Sequence, residues 1–180
     1  FAHFVRRRNP DADDAEVLRR VILGHAVMMF ARGVPTVYYG DEQGFNGDPG
    51  GDQNARESLF ASRTAIYNDN RLVGTDATTA QANFNRAHPI YRALRQMARI
   101  RAADPALRRG AQRVIAESVE PGLFAIARLS PDGSGQTIAA FNSSPRPIRA
   151  NLAVDPALRD FAPVLGACSR SAAAPGSYAV

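Results

Sequence analysis

After Gly110 the hydrophobic period of this chain turns strand-like, and that change limits the folds available to it. The two long runs at helical spacing both lie before Gly110. After it the apolar residues fall into four short runs separated by turn residues. A chain patterned this way is neither a single helical bundle nor a single β-sandwich, and it reads as two regions, 1–110 and 111–180. Its 180 residues are enough to bury a core. No run of about 18 apolar residues is present, which excludes a transmembrane helix. A single cysteine, Cys168, excludes an internal disulfide framework. The first residue is Phe1, so the chain reads as cut or processed and leaves its compartment open.

In the first region the spacing predicts a helix from about Asp13 to Arg32. Asp13 stands three residues before Glu16, a capping-box spacing. Leu18, Val21, Ile22, His25 and Met29 form the stripe, Leu23, Val27 and Phe30 fill other faces near the end, and Gly33 is the stop. Val34 to Tyr39 is apolar on both faces, which predicts a buried strand of a parallel sheet with Val34 and Val37 inside. Helix and strand together would make an α/β unit. From Gly40 to about Ala87 the pattern dissolves, with a short helical turn expected at Ala80–Phe84. A second helix is expected over Pro89–Ala103, with Ile90, Leu94, Met97 and Ala98 inside and Arg92, Arg95 and Arg99 on a solvated face. Beyond Gly110, Gln112–Val119, Leu123–Leu129, Thr137–Asn142 and Ile148–Val154 read as an antiparallel meander. The tail from Gly166 reads as loop plus one edge strand.

The net charge is +5, and all 22 basic residues are arginine. They are scattered among acids, which reads as compositional bias and not as a nucleic-acid surface. His3, His25 and His88 lack partners at ligand spacing, so each reads as structural and no metal site is expected. No nucleophile elbow and no phosphate-binding glycine loop is present.

What remains is GVPTVYYGDEQGFNGDPGGDQNARESLF, residues 33–60. Two tyrosines are followed by Gly40, then by Asp41, Glu42, Asp52 and Arg56. Aromatic faces, carboxylates and an arginine suit a sugar, because rings stack on pyranose faces and charged groups bond hydroxyls. The same acids also suit a helix cap, or a salt bridge to Arg56.

GVPTVYYGDEQGF resembles the segment covering the eighth barrel strand of the alpha-amylase family of glycoside hydrolases. In order around it, AEVLRRVILGHAVMMFARG resembles the family's seventh barrel helix. GGDQNARESLF resembles the loop after the eighth strand, and HPIYRALRQMARIRAADPALRRG the last barrel helix and its exit. The region after Gly110 is similar to the β-rich domain that follows the barrel. The resemblance spans about residues 1 to 155.

The resemblance implies the C-terminal part of a (β/α)8 barrel followed by a small antiparallel β-domain. It implies an enzyme that cleaves α-glucosidic bonds by a retaining double displacement, with an α-glucan or oligosaccharide as partner. The family's three catalytic acids belong to earlier motifs that this chain does not match. The chain is therefore expected to be a C-terminal fragment, inactive alone and with no catalytic residue of its own. Tyr39, Asp41 and Glu42 are then expected to contact substrate or support the site, Asp52 and Arg56 to contact hydroxyls or brace the loop, and Tyr38 to lie in the barrel core. No cofactor is expected in this chain, and calcium stays open for the parent, as does oligomeric state. Rival readings are a transglycosylating or sucrose- or trehalose-active member of the family, and a non-catalytic carbohydrate-binding module. The second is poorly supplied, with no Trp and with only Phe124, Phe141 and Phe161 as candidate rings.

Overall fold

Asp13 opens the long helix as its spacing predicts, because its Oδ1 accepts the Glu16 backbone N–H at 2.7 Å. Only half of the capping box forms, since Glu16 turns its own carboxylate to Arg20 one helical turn on, at 2.6 Å. The computed structural model describes residues 1–47, 51–68, 70–166 and 168–180. In chain order its elements are α1 (Ala2–Arg8), α2 (Asp14–Phe30), a 3₁₀ turn (Asp41–Gln43), α3 (Ala65–Asn68), α4 (Pro89–Ala103), α5 (Pro105–Arg109) and strands β1 (Ala111–Ala116), β2 (Leu123–Leu129), β3 (Gln136–Asn142), β4 (Asn151–Ala153) and β5 (Ser177–Ala179). They divide into two compact units, Phe1–Met28 with Val34–Ala98, and Met29–Gly33 with Arg99–Val180.

In the first unit, α2 buries Val17, Val21 and His25 at four-residue spacing, while Leu18, Ile22, Leu23 and Val27 are half-buried. Pro89 starts α4, and the His88 ring nitrogen Nδ1 accepts the Ile90 N–H at 3.2 Å. Ile90, Leu94 and Met97 line its inner face, each contributing roughly 1.5–3 kcal/mol of burial. Arg92, Arg95 and Arg99 are exposed as expected, and Ala98 is exposed against expectation.

The strand expected at Val34–Tyr39 is not formed. Val34 is 92% exposed and Val37 38%. A parallel strand is held by neighbours on both edges. The strands among the described residues all lie between Ala111 and Ala179, and each pairs within that range, so this segment has no ladder. Ala80–Phe84 is not helical either; the short helix of the long segment is α3. That segment is irregular but well bonded. Ser62 N–H donates to Thr79 O at 2.9 Å, Asn83 N–H to Leu59 O at 2.8 Å and Val73 N–H to Gly44 O at 2.8 Å.

In the second unit β1, β2 and β3 form the expected antiparallel meander. Leu129 pairs with Ala111 on one side and Gln136 on the other. A register shift lies between Val114 and Ala116, and β1 stops short of the expected Val119. The fourth run does not extend the meander. Pro145 and Pro147 interrupt the chain after β3, and β4 instead pairs with β5 in a separate two-stranded sheet. Ala125, Leu152, Val154 and Tyr178 form one core cluster of this unit. Phe124 stacks on Phe141 at 5.9 Å and Phe161 lies against Tyr178 at 4.4 Å. These rings are engaged with one another, and none of the three is among the exposed large hydrophobics.

Two arginines collect the carbonyls that end α2. Arg128, on β2 and 1% exposed, donates to Phe30 O at 2.8 Å and Gly110 O at 3.0 Å. Arg101 donates to Met29 O at 2.6 Å, Ala31 O at 3.2 Å and Gly33 O at 2.6 Å. The Met29 and Phe30 carbonyls are orphans at the negative end of the α2 dipole, which is where cations are favoured.

Candidate functional site

Gly40 has φ +90°, a left-handed conformation that an L side chain resists, and it turns the chain directly after the two tyrosines. Its carbonyl accepts both Gln43 N–H and Phe45 N–H at 3.0 Å, which winds Asp41–Gln43 into the 3₁₀ turn. Gly44 follows at φ +73°, and a Cβ there would meet Val73 O at 2.2 Å, so the turn is pressed against the backbone of Val73. Gln43 is buried, and its amide pairs with the backbone of Asn85: Oε1 accepts the N–H at 2.9 Å and Nε2 donates to the carbonyl at 3.4 Å. The turn is thus fixed from three sides.

Asp41 and Glu42 leave this turn in different directions. Asp41 faces inward. Its Oδ2 lies 3.8 Å from His25 Nε2, and its Oδ1 accepts from the Phe1 nitrogen at 3.3 Å. His25, 4% exposed, is steered by its other ring nitrogen, 2.8 Å from Val21 O, and by the Phe1 ring standing edge-on at 5.0 Å. Burial pushes the Asp41 pKa up, but the neighbouring His25 ring and the charged Phe1 nitrogen of this 180-residue chain outweigh it, and the net shift is downward. Glu42 uses Oε2 to accept the Gly40 N–H at 2.9 Å.

The folded carboxylate of Asp41 titrates below its unfolded counterpart. Its contribution to stability is therefore present above the unfolded pKa of about 3.9, and is lost as pH falls through the lower folded value. Asp41→Asn is expected to cost about 1 kcal/mol at pH 7, and the two chains should converge in stability below the folded value. Urea melts between pH 2 and 7 read this directly. A gap that stays constant with pH would show that the carboxylate charge is not what matters.

The Tyr39 and Tyr38 rings lie against each other, tilted by 37° with centroids 4.5 Å apart, and are 43% and 51% exposed. Tyr38, expected in the core, is therefore an accessible ring. The Tyr39 pKa is raised by hydrogen bonding to Tyr38, by burial and by the Tyr38 and Tyr67 phenols, while the charge of Arg56 opposes the shift. Tyr67 is anchored through its hydroxyl to Gln53 O at 2.8 Å. Arg56 pairs with Asp52 at 3.6 Å, and both side chains are exposed, so the pair braces the loop only weakly.

The structure sets Tyr39 against Tyr38, pairs Arg56 with Asp52, and turns Asp41 away toward His25. Sequence reasoning did not single out Tyr67 or Glu57. Glu57 is 1% exposed and accepts from Gly47 N–H at 3.3 Å. A charged residue inside a polar loop carries no periodicity signal, and only its burial reveals it. Among the described residues no three His, Cys, Asp or Glu side chains gather as a metal-binding group, and no helix is long and apolar enough to cross a membrane.

Over 141 residues, 78% of its length, the chain is 40% identical to an alpha-amylase of Streptomyces lividans. It belongs to the alpha-amylase family of glycoside hydrolases. It spans 15% of that relative. No family model matches the chain. Among solved structures it is similar to a debranching enzyme from Nostoc punctiforme, with TM-score 0.61 and 23% identity over 89% of this chain and 28% of that one. A native form of that enzyme gives TM-score 0.51 and 26% identity over 74% of this chain and 22% of that one.

Proposed function

We propose that this chain is the C-terminal portion of an alpha-amylase-family enzyme that cleaves α-glucosidic bonds in starch-like glucans with retention. Residues 1–110 complete its (β/α)8 barrel and 111–180 form the β-domain that follows. The observation that carries this reading is the 40% identity to an alpha-amylase over 78% of the chain, a span that includes the fixed turn of Asp41 and Glu42 directly after Tyr39. In this reading Tyr39 stacks on a sugar face, and Arg56 and Asp52 bond its hydroxyls. Glu42 offers its second oxygen to a hydroxyl. Asp41, held by His25, sets the angle of the turn and supports the site without touching the reacting carbon. The similarity to both an alpha-amylase and a debranching enzyme fits an α-glucan as substrate.

Binding of maltohexaose to the 180-residue chain tests the wall that this reading assigns. Tyr39→Ala is expected to weaken binding by about five-fold or more, the worth of one stacked ring. Arg56→Ala should weaken it less, because the guanidinium is already solvated. Equal affinity for parent and Tyr39→Ala would remove this surface from the reading.

A further inference from the structure

Two of the three supports of the Asp41–Gln43 turn meet at His88, a residue the candidate site does not use. The Asn85 carbonyl, which receives the Gln43 amide, also accepts the His88 backbone N–H at 3.1 Å. Val73, against which Gly44 is pressed, is the backbone that acts on the His88 ring. His88 is 1% exposed and stands directly before α4. Its carbonyl accepts the Arg92 N–H at 3.0 Å, and its Nδ1 accepts the Ile90 N–H at 3.2 Å. It is therefore the N-cap of this helix, in a place more often filled by Ser, Thr, Asp or Asn.

An imidazole can cap a helix in this way only while it is neutral. Nδ1 must keep its lone pair, so the ring proton sits on Nε2. A second proton at Nδ1 would face the Ile90 N–H donor to donor. It would also put a positive charge at the positive end of the α4 dipole. The charge would be enclosed, since Nε2 is buried and completes no hydrogen bond of good geometry. Among the described residues no charged group offsets this. Arg86 and Arg92, beside the ring in the chain, are exposed. Arg71 and Asp76, on either side of Val73, are exposed and paired with each other. On α2, which reaches this corner through Leu18, Glu16 pairs with Arg20 and Arg19 is exposed. At the turn itself, Asp41 faces His25 and Glu42 accepts from Gly40. Burial pulls the His88 pKa below its ordinary value, and the Val73 backbone opposes this only in part.

We propose that His88 is an acid-sensitive switch for the Asp41–Gln43 turn: neutral, it caps α4 and keeps Asn85 and Val73 in place, and protonated it releases both. The direction follows from the cap. The folded chain favours the neutral ring, so its support is complete above the unfolded pKa of about 6.5 and is lost as pH falls through the lower folded value. The switch concerns the angle of the turn and holds whatever the turn binds.

The test is a titration of the isotopically labelled 180-residue chain from pH 7.5 to pH 4, followed by NMR. The His3, His25 and His88 ring resonances and the Gln43 side-chain amide are read in the same spectra. The His88 ring is expected to carry its proton on Nε2 at pH 7.5 and to titrate below 6.5, and the Gln43 amide to shift with the His88 midpoint. Protection of the Ile90 amide against hydrogen exchange should fall about ten-fold for each unit by which that midpoint lies under 6.5. None of these readings needs a variant to fold. In His88→Asn, which keeps a capping oxygen but does not titrate, the part of the Gln43 shift that follows the His88 midpoint should vanish. A ring that titrates at or above 6.5, or that stays neutral down to pH 4, overturns the proposal. So does a Gln43 amide that stays fixed while His88 titrates, that follows His25 instead, or that moves equally in His88→Asn.

Discussion

The purified 180-residue chain is expected to release no reducing sugar from soluble starch. Retaining cleavage of an acetal needs two carboxyl groups about 5–5.5 Å apart across the scissile bond, one to attack carbon and one to protonate the leaving oxygen. Such chemistry supplies at least about 10⁶-fold in rate. The candidate acids of this chain are otherwise engaged. Asp41 is held by His25 and the Phe1 nitrogen, and Asp52 by Arg56. Glu42 is adjacent to Asp41 on a 3₁₀ turn, where successive side chains diverge by about 120°. The tyrosine wall can hold sugar, but binding that is equal in ground and transition states does not accelerate the chemical step. Turnover that survives repurification and disappears in Glu42→Gln would overturn this assignment of roles.

Arg128→Ala is expected to produce the largest loss of stability among single substitutions in the β-region, about 2–4 kcal/mol. Truncation removes a side chain that is 1% exposed and strips Phe30 O and Gly110 O of their donors. Burial, reinforced by the nearby charge of Arg101, pulls the pKa of this guanidinium down, with Asp104 opposing. Relief of that buried charge offsets part of the loss, which keeps the expected value below that of a broken buried ion pair. Arg128→Lys should recover little, because one ammonium cannot reproduce a planar fork reaching two carbonyls. Denaturant melts with an unchanged m-value would read the shift. A change below about 0.5 kcal/mol would show that the two carbonyls find other donors.

The elements legible in the sequence were those whose signal is local. The Asp13 cap, Pro89 and the Ile90–Leu94–Met97 stripe fixed two helices to within two residues, and the turn at Ser130–Gly135 marked the meander. Where the outcome depends on what lies beside a segment, the pattern alone misled. Val34–Tyr39 has the composition of a buried strand, yet composition does not supply ladder partners, and its side chains stand exposed. The pairing of β4 with β5 was hidden for a similar reason, since nothing local to Asn151–Ala153 names Ser177–Ala179 as its partner. The candidate site was legible as a list of residue types. The inward turn of Asp41 toward His25 arises from an approach distant in sequence, and only the fold reveals it.

The amide bridge from Gln43 to Asn85 joins positions 42 residues apart. It acts as a clasp at the base of a long excursion of chain. Once such a clasp is closed, the entropy of the enclosed loop grows only logarithmically, and doubling its length costs about 0.6 kcal/mol. Residues added or removed at the far end of this excursion therefore leave the Asp41–Gln43 turn almost untouched. Length variation among relatives should collect there, and the shape of whatever it borders can diversify while the turn keeps its angle.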